Sequence, residues 1–286
     1  MWHLLQLEWL KLRGYKAFRW LIILYIVLLP LLFLVGKSFQ GVPEEVGSAQ
    51  TFYMFPTVFE YLGYAGNWLT FFFLGFAALL MTTQEYTYKT LRQNVIVGLS
   101  RGEWYWSKVF TMILISLASA LYYGALALLF GATNTDTIYS SMVTVNLDYI
   151  PRYFLMCMGY MSFAFLLGVL LRRTGWAILL YISYVMFIEV ILRWLLHANI
   201  LQRLAPTKAV VRTMHFYPMN AIEDLTPLPF WKFANNTMDN PNPDNSSTSI
   251  EGYLSLLTPT EATLTTIVYT LIFLGLTWWL LHKRNL

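Results

Sequence analysis

The chain contains little charge and almost no cysteine. Asp, Glu, Lys and Arg make up 12% of its 286 residues, whereas a soluble domain usually carries roughly 25%. The charges are clustered, and the runs between them are long enough to cross a bilayer, which takes roughly 20 apolar residues in a helix. The single cysteine, Cys157, excludes a disulfide framework and a cysteine-based metal site. We therefore predict an all-α polytopic membrane protein.

The apolar runs predict one six-span transmembrane domain over residues 20–286. A long loop at 198–262 separates the last two spans, and its second half is rich in Asn, Asp, Pro and Ser, which favours loop structure. The predicted transmembrane helices lie at about 20–36, 62–82, 109–132, 153–171, 176–196 and 263–281.

Residues 1–19 form a separate N-terminal segment. Trp2, Leu5, Trp9 and Leu12 recur at spacings of three and four, which places them on one face of a helix. Tryptophan is favoured at the depth of the lipid headgroups. The pattern predicts an amphipathic helix that lies in the membrane interface. The alternative is a first span that begins early and carries a basic tail.

The distribution of Lys and Arg predicts the orientation. These residues are concentrated before the first span, between spans two and three, between spans four and five, and at the C-terminus. Cytoplasmic loops carry an excess of Lys and Arg, so we expect both termini to be cytoplasmic and the 198–262 loop to lie outside. Because the net charge of +4 follows this membrane pattern, it does not indicate a nucleic-acid partner.

Residues 85–108 form a charged segment between two long uncharged runs. Within it, Leu91, Val95 and Leu99 are four residues apart, which predicts a short amphipathic helix. Gly98 follows this stripe, and glycine readily adopts the left-handed conformation that ends helices. The alternative is a solvated basic loop that merely follows the charge rule.

A second helix is predicted to begin within the same segment. Ser100 and Glu103 match a capping box, in which the serine side chain and the glutamate three residues later each bind a free backbone amide. The helix should therefore begin at about Arg101 and continue into the third span. The segment as a whole is predicted to be two ordered helices joined by a turn.

The order of residues in this segment resembles the permease subunit of type-2 ABC transporters, in the ABC exporter family. The matching features are Glu85-x4-Thr90-Leu91-Arg92, a short apolar helix, and then Leu99-Ser100-Arg101. In that family the corresponding loop forms a coupling helix that docks on the ATPase subunit. The resemblance implies ATPase-coupling roles for Glu85, Thr90, Leu91, Arg92, Val95, Ser100 and Arg101.

The resemblance also implies partners and a location. A permease of this family works with an ABC ATPase and with a second permease copy or a homologous permease, in the inner membrane of a prokaryote. The chain lacks a phosphate-binding loop, since Leu31 occupies the position of the required glycine upstream of Gly36-Lys37-Ser38. We therefore expect no catalytic, cofactor or metal site in this chain, and ATP and Mg²⁺ in the partner ATPase. The apolar, aromatic spans favour an amphipathic substrate.

Glu189 and Arg193 are charged residues inside the predicted fifth span. Their spacing allows an intramembrane ion pair. Such a pair would line the outer part of the transport pathway or brace the dimer; the alternative is a bridge that caps the span and packs the outer loop. An ion-coupled secondary transporter or channel without an ATPase is the alternative function, for which Glu189 would be the one candidate acid. A membrane-embedded enzyme would require clusters of His, Asp or Glu within the spans, and the sequence has none.

Overall fold

The computed structural model describes residues 2–36, 52–96, 98–196, 213–227 and 257–283. Within these ranges the secondary structure is helical and contains no strand. The helices are α1 (Trp2–Gly14), α2 (Lys16–Gly36), α3 (Val58–Thr87), α4 (Thr90–Ile96), α5 (Arg101–Asn134), α6 (Ser140–Thr144), α7 (Tyr149–Leu171), α8 (Thr174–Leu196), α9 (Pro218–Glu223) and α10 (Pro259–Lys283).

Helix α7 lies at the centre of the bundle and packs against α3, α5 and α10. In the described residues, five helices are long and apolar enough to cross a membrane: α3, α5, the pair α6–α7, α8 and α10. A sixth candidate is the pair α1–α2, which is bent by 90°. The all-helical prediction is confirmed, with five to six candidate spans. Most of the predicted loop at 198–262 lies outside the described residues.

Helix α1 is set at a right angle to α2, and the chain bends at Tyr15. The bend at Tyr15 precedes the predicted boundary at residue 19, because α2, which contains the first apolar run, begins at Lys16. Glu8 and Leu12 form the buried face of α1, whereas Trp9 is 66% exposed. The tryptophan-containing stripe therefore does not pack wholly against the protein.

A π-helical turn at Thr70–Leu74 interrupts α3 where α8 crosses it. The hydroxyl of Tyr181 on α8 donates a hydrogen bond to the carbonyl oxygen of Phe71 at 3.1 Å. A π-helical turn interrupts the regular backbone hydrogen bonds of a helix. A side chain from another helix can then donate to a carbonyl oxygen that has lost its backbone partner. The next residue, Gly75, lies against the same tyrosine ring. The two helices therefore approach closely because this position has no side chain.

Gly75→Ala is expected to destabilise the protein by about 1–3 kcal/mol, the usual effect of overpacking. An added Cβ would lie 2.1 Å from Tyr181 Oη, and Tyr181 is fully buried. Gly275→Ala is the matched control, because nothing lies within 4 Å of its Cβ position on α10. Thermal unfolding in detergent compares the two variants. Equal midpoints would contradict the close contact between α3 and α8.

Candidate functional site

Three helices meet at a buried cluster of charged side chains. Lys108, near the start of α5, is 1% exposed, and Glu8 and Glu85 are also buried. The Lys108 Nζ atom lies 2.5 Å from Glu8 Oε2 and 2.5 Å from Glu85 Oε1. Because Glu8 belongs to α1 and Glu85 to α3, one ammonium group joins three helices. We call Glu8, Lys11, Glu85, Trp104 and Lys108 the charge cluster.

The remaining members complete the hydrogen bonding of the charge cluster. Lys11 Nζ lies 3.1 Å from Glu8 Oε1 and 3.3 Å from Glu85 Oε1. The indole Nε1 of Trp104 donates to Glu85 Oε2 at 2.6 Å. Two ammonium groups therefore face two carboxylates. Buried charges are tolerated when they are paired and hydrogen-bonded in this way.

The charge cluster lies at the base of the 85–108 segment. After α3 ends, Lys89 adopts a left-handed conformation with φ of 56°, and α4 follows at once. Gly98 has φ of 110°, the conformation expected of a residue that follows a helix end. The segment is therefore a helix followed by a tight turn, as the spacing predicts.

The predicted capping box is confirmed. The Ser100 hydroxyl oxygen accepts a hydrogen bond from the Glu103 amide at 3.1 Å. In return, Glu103 Oε2 accepts one from the Ser100 amide at 2.8 Å. These two contacts satisfy backbone donors that every helix leaves free in its first turn. They fix Arg101 as the first residue of α5.

The structure describes five of the seven side chains that the resemblance singles out, namely Glu85, Thr90, Leu91, Ser100 and Arg101. Glu85 and Leu91 are buried, with Leu91 only 2% exposed, so neither can touch a docked partner directly. Arg101 Nη1 donates to the carbonyl oxygens of Leu281 and His282, at 3.1 and 3.4 Å, and so binds the end of α10.

Thr90 and Ser100 make local contacts within the segment. Thr90 Oγ1 donates to the Glu85 carbonyl oxygen at 3.5 Å, and Ser100 serves as the helix cap. Arg92 and Val95 belong to α4, but their side chains lie outside the described part of the structure. Of the five described side chains, four therefore support the segment from within, whereas Ser100 caps α5 at an exposed position.

Other described residues of the segment are exposed. Ile96 is 75% exposed and Tyr88 is 67% exposed, and Lys89 and Gln93 are also exposed. The sequence reasoning missed these residues because it followed the apolar stripe, and that stripe packs inward at Leu91. The signal that could have identified this face is Ile96, an apolar residue that lies off the four-residue spacing of the stripe. We call Tyr88, Lys89, Gln93 and Ile96 the exposed face.

Comparison with known proteins decides the family. Residues 4–188 match the family model of the ABC-2 family transporter protein. The chain belongs to this family. None of the curated proteins matches it. The ABC-2 match identifies a transmembrane permease, a membrane subunit that is not itself an enzyme and whose family is generally paired with an ABC ATPase. The matched range contains the charge cluster and the whole 85–108 segment.

Beyond the ABC-2 match, a second buried group lies at the opposite end of the bundle. The carboxyl oxygens of Glu189 accept hydrogen bonds from the backbone amides of Met219 and Asn220, at 3.0 and 2.8 Å. These amides belong to the first turn of α9, whose own N-cap residue, Tyr217, makes no side-chain cap. Glu189 thus caps a helix that lies far away in sequence.

Glu189 and Arg193, the predicted ion-pair or pathway residues, both bind α9. Among the ion pairs of the described residues, none joins these two side chains. Arg193 instead bonds the side-chain oxygen of Asn220. The physical reason is that α9 offers two backbone donors to the carboxyl group and one amide oxygen to the guanidinium. Both charged residues therefore hold α9 against α8.

Asp224 extends this group towards α10. Its Oδ2 accepts hydrogen bonds from the Leu257 amide at 3.2 Å and from Asn220 Nδ2 at 3.1 Å. Burial raises the pKa of Asp224 to about 7, although the hydrogen bond from the Leu257 amide opposes the shift. A carboxyl group in this position holds a proton in mildly acidic solution. Asp224 therefore packs the end of α9 against the start of α10 at little electrostatic cost below neutral pH.

Glu189→Ala is expected to release α9 from α8. Loss of the two hydrogen bonds should raise hydrogen exchange at the Met219 and Asn220 amides roughly tenfold or more, since bonds of this kind contribute about 1–3 kcal/mol each. Val190→Ala, at an exposed neighbouring position, is the control and should leave exchange unchanged. Equal protection of α9 in the two variants would contradict the capping role.

Proposed function

We propose that this ABC-2 chain is the permease subunit of an ATP-driven exporter, which dimerises and couples to a separate ATPase. The observation that carries the proposal is the charge cluster: the 85–108 segment presents an exposed face while its base is held to α1, α3 and α5 by buried ionic contacts. A segment built in this way transmits a push at its tip to the helices behind it.

The proposed orientation places the exposed face in the cytoplasm. The excess of Lys and Arg on this side supports it. Helix α1 would then lie in the inner membrane interface, since it is perpendicular to α2 and exposes Trp9 and Leu10. An interfacial helix needs this combination of exposed apolar side chains and nearby cations. Both termini are cytoplasmic in this arrangement.

The proposed coupling runs through the charge cluster. Closure of the partner ATPases on ATP and Mg²⁺ displaces α4. Glu85, near the end of α3, and Lys108, two turns into α5, lie on either side of α4 in the chain. Separating a buried pair costs several kcal/mol, so α3, α5 and α1 move as one unit. The spans then change between arrangements open to either side. This movement would carry an amphipathic substrate across or out of the membrane.

The alternative, an ion-coupled transporter or channel, finds less support in the structure. It would use Glu189 as the acid that binds and releases the coupling ion. Both carboxyl oxygens of Glu189 are already bound by backbone amides, and releasing them would free α9. The arrangement is that of a structural contact.

The proposed function is tested by affinity purification of the tagged full-length chain from membranes of its native host. We expect an ABC ATPase to copurify in a fixed ratio and to hydrolyse ATP faster with the permease than without it. An unrelated tagged membrane protein from the same host is the control. A chain that retains no ATPase and transports under an ion gradient alone would contradict the proposal.

A further inference from the structure

An open groove of about 1160 Å³ lies between α1, α2 and α5. Its walls are formed by the apolar side chains of Ile22 and Ile26 on α2 and of Leu114 and Ala118 on α5. The groove begins at the right-angled bend between α1 and α2 and continues along the bundle as far as Tyr122. The groove is therefore an elongated, largely apolar channel.

Two arginines stand at the end of the groove where the chain bends. Arg13, in the last turn of α1, and Arg19, in the first turns of α2, both line it and are both exposed. The residues that line the groove include no aspartate or glutamate. Glu8, the nearest acid on α1, is bound to Lys108 and Lys11. The two guanidinium groups thus provide positive charge beside an apolar channel.

We propose that this groove binds one anionic phospholipid from the leaflet on the side of α1. Arginine recognises phosphate oxygens through paired N–H donors, so Arg13 and Arg19 would hold the headgroup. The acyl chains would lie along Ile22, Ile26 and Leu114, where each buried methylene contributes to binding.

Charge disfavours a second copy of the chain as the occupant. A two-fold interface joins the same patch from both subunits, which would bring two pairs of arginines together. A phospholipid supplies the opposite charge and the apolar length at once. The lipid would brace α1 against α2 and α5, next to the charge cluster.

The headgroup contact is tested by native mass spectrometry of the purified full-length chain with phosphatidylglycerol or phosphatidylcholine. We expect wild type to retain the anionic lipid preferentially. In R13Q/R19Q its affinity should fall roughly 30-fold, equivalent to about 1 kcal/mol for each arginine. R13K/R19K should keep part of the preference, because the charge remains while the paired N–H donors are lost. K16Q removes an exposed cation that does not line the groove and should behave as wild type.

The acyl contact is tested with a filled groove. Ala118→Trp should reduce retention of both lipids, whereas Ala125→Trp, at an exposed position outside the groove on the same helix, should not. The proposal is overturned if wild type retains the two lipids equally or if R13Q/R19Q loses no anionic lipid. It is also overturned if Ala118→Trp abolishes a dimer that contains no lipid, since a second copy would then occupy the groove.

Discussion

Lys108→Met is expected to lower the free energy of unfolding by about 3–5 kcal/mol, the usual effect of breaking a buried ion pair from one side. The ammonium group of Lys108 lies 2.5 Å from oxygens of both Glu8 and Glu85. Its removal leaves the half-exposed Lys11 as the one ammonium group that the described residues place beside these buried carboxylates. The contact between α1, α3 and α5 should then open, which would also uncouple α1 from the 85–108 segment.

Thermal unfolding in detergent measures this loss against a matched control. Lys89→Met replaces an exposed lysine of the same segment and should change stability by less than about 0.5 kcal/mol. The double variant Lys108→Met/Glu85→Gln should recover part of the loss, because it removes one of the uncompensated charges. If Lys108→Met proves as stable as Lys89→Met, the charge cluster does not hold the helices together.

Ile96→Asp is expected to abolish most of the stimulation of the partner ATPase while the permease stays folded. Ile96 is 75% exposed on the segment, so a charge there costs the fold little. A hot-spot residue at the centre of an interface contributes about 2 kcal/mol or more, and this role for Ile96 predicts a loss of roughly 30-fold in affinity for the ATPase. Leu91→Asp should instead unfold the segment, because Leu91 is buried.

The matched control for this variant is Ile138→Asp. Ile138 is 50% exposed and lies between α5 and α6, at the other end of α5 from the exposed face. ATPase rates of the reconstituted complex, measured over a range of ATPase concentrations, separate lost affinity from lost activity. Full stimulation by Ile96→Asp together with reduced stimulation by Ile138→Asp would contradict the proposal, because the ATPase would then dock at the opposite end of α5.

Much of the fold could be predicted because hydrophobic runs and helix caps are local features. The apolar runs correspond to α3, α5, α7, α8 and α10, and the Ser100–Glu103 box marks the start of α5. The helices extend beyond the predicted spans. A charged residue can lie inside a helix when a side chain of opposite charge is close to it. Lys108 directly precedes the predicted third span at 109–132, yet it is buried within α5, where its ammonium group contacts carboxylates from two other helices.

The candidate site could be predicted only in outline. Residue spacing identifies which side chains share a helix face, but not whether that face meets the protein or a partner. Leu91 belongs to the predicted apolar stripe and packs into the bundle, leaving Ile96 exposed. In the same way, the spacing of Glu189 and Arg193 permits an ion pair. The contacts that replace it come from α9, which no local pattern connects to α8.

Cross-linking through a single introduced cysteine tests the central claim most directly. The native Cys157 is fully buried, so an introduced cysteine is the reactive thiol when the variants are treated with a thiol-to-amine reagent. We predict that Ile96→Cys forms an adduct with the copurified ABC ATPase, and that Ile138→Cys forms none. An ATPase adduct at Ile138→Cys without one at Ile96→Cys would contradict the proposed role of the 85–108 segment.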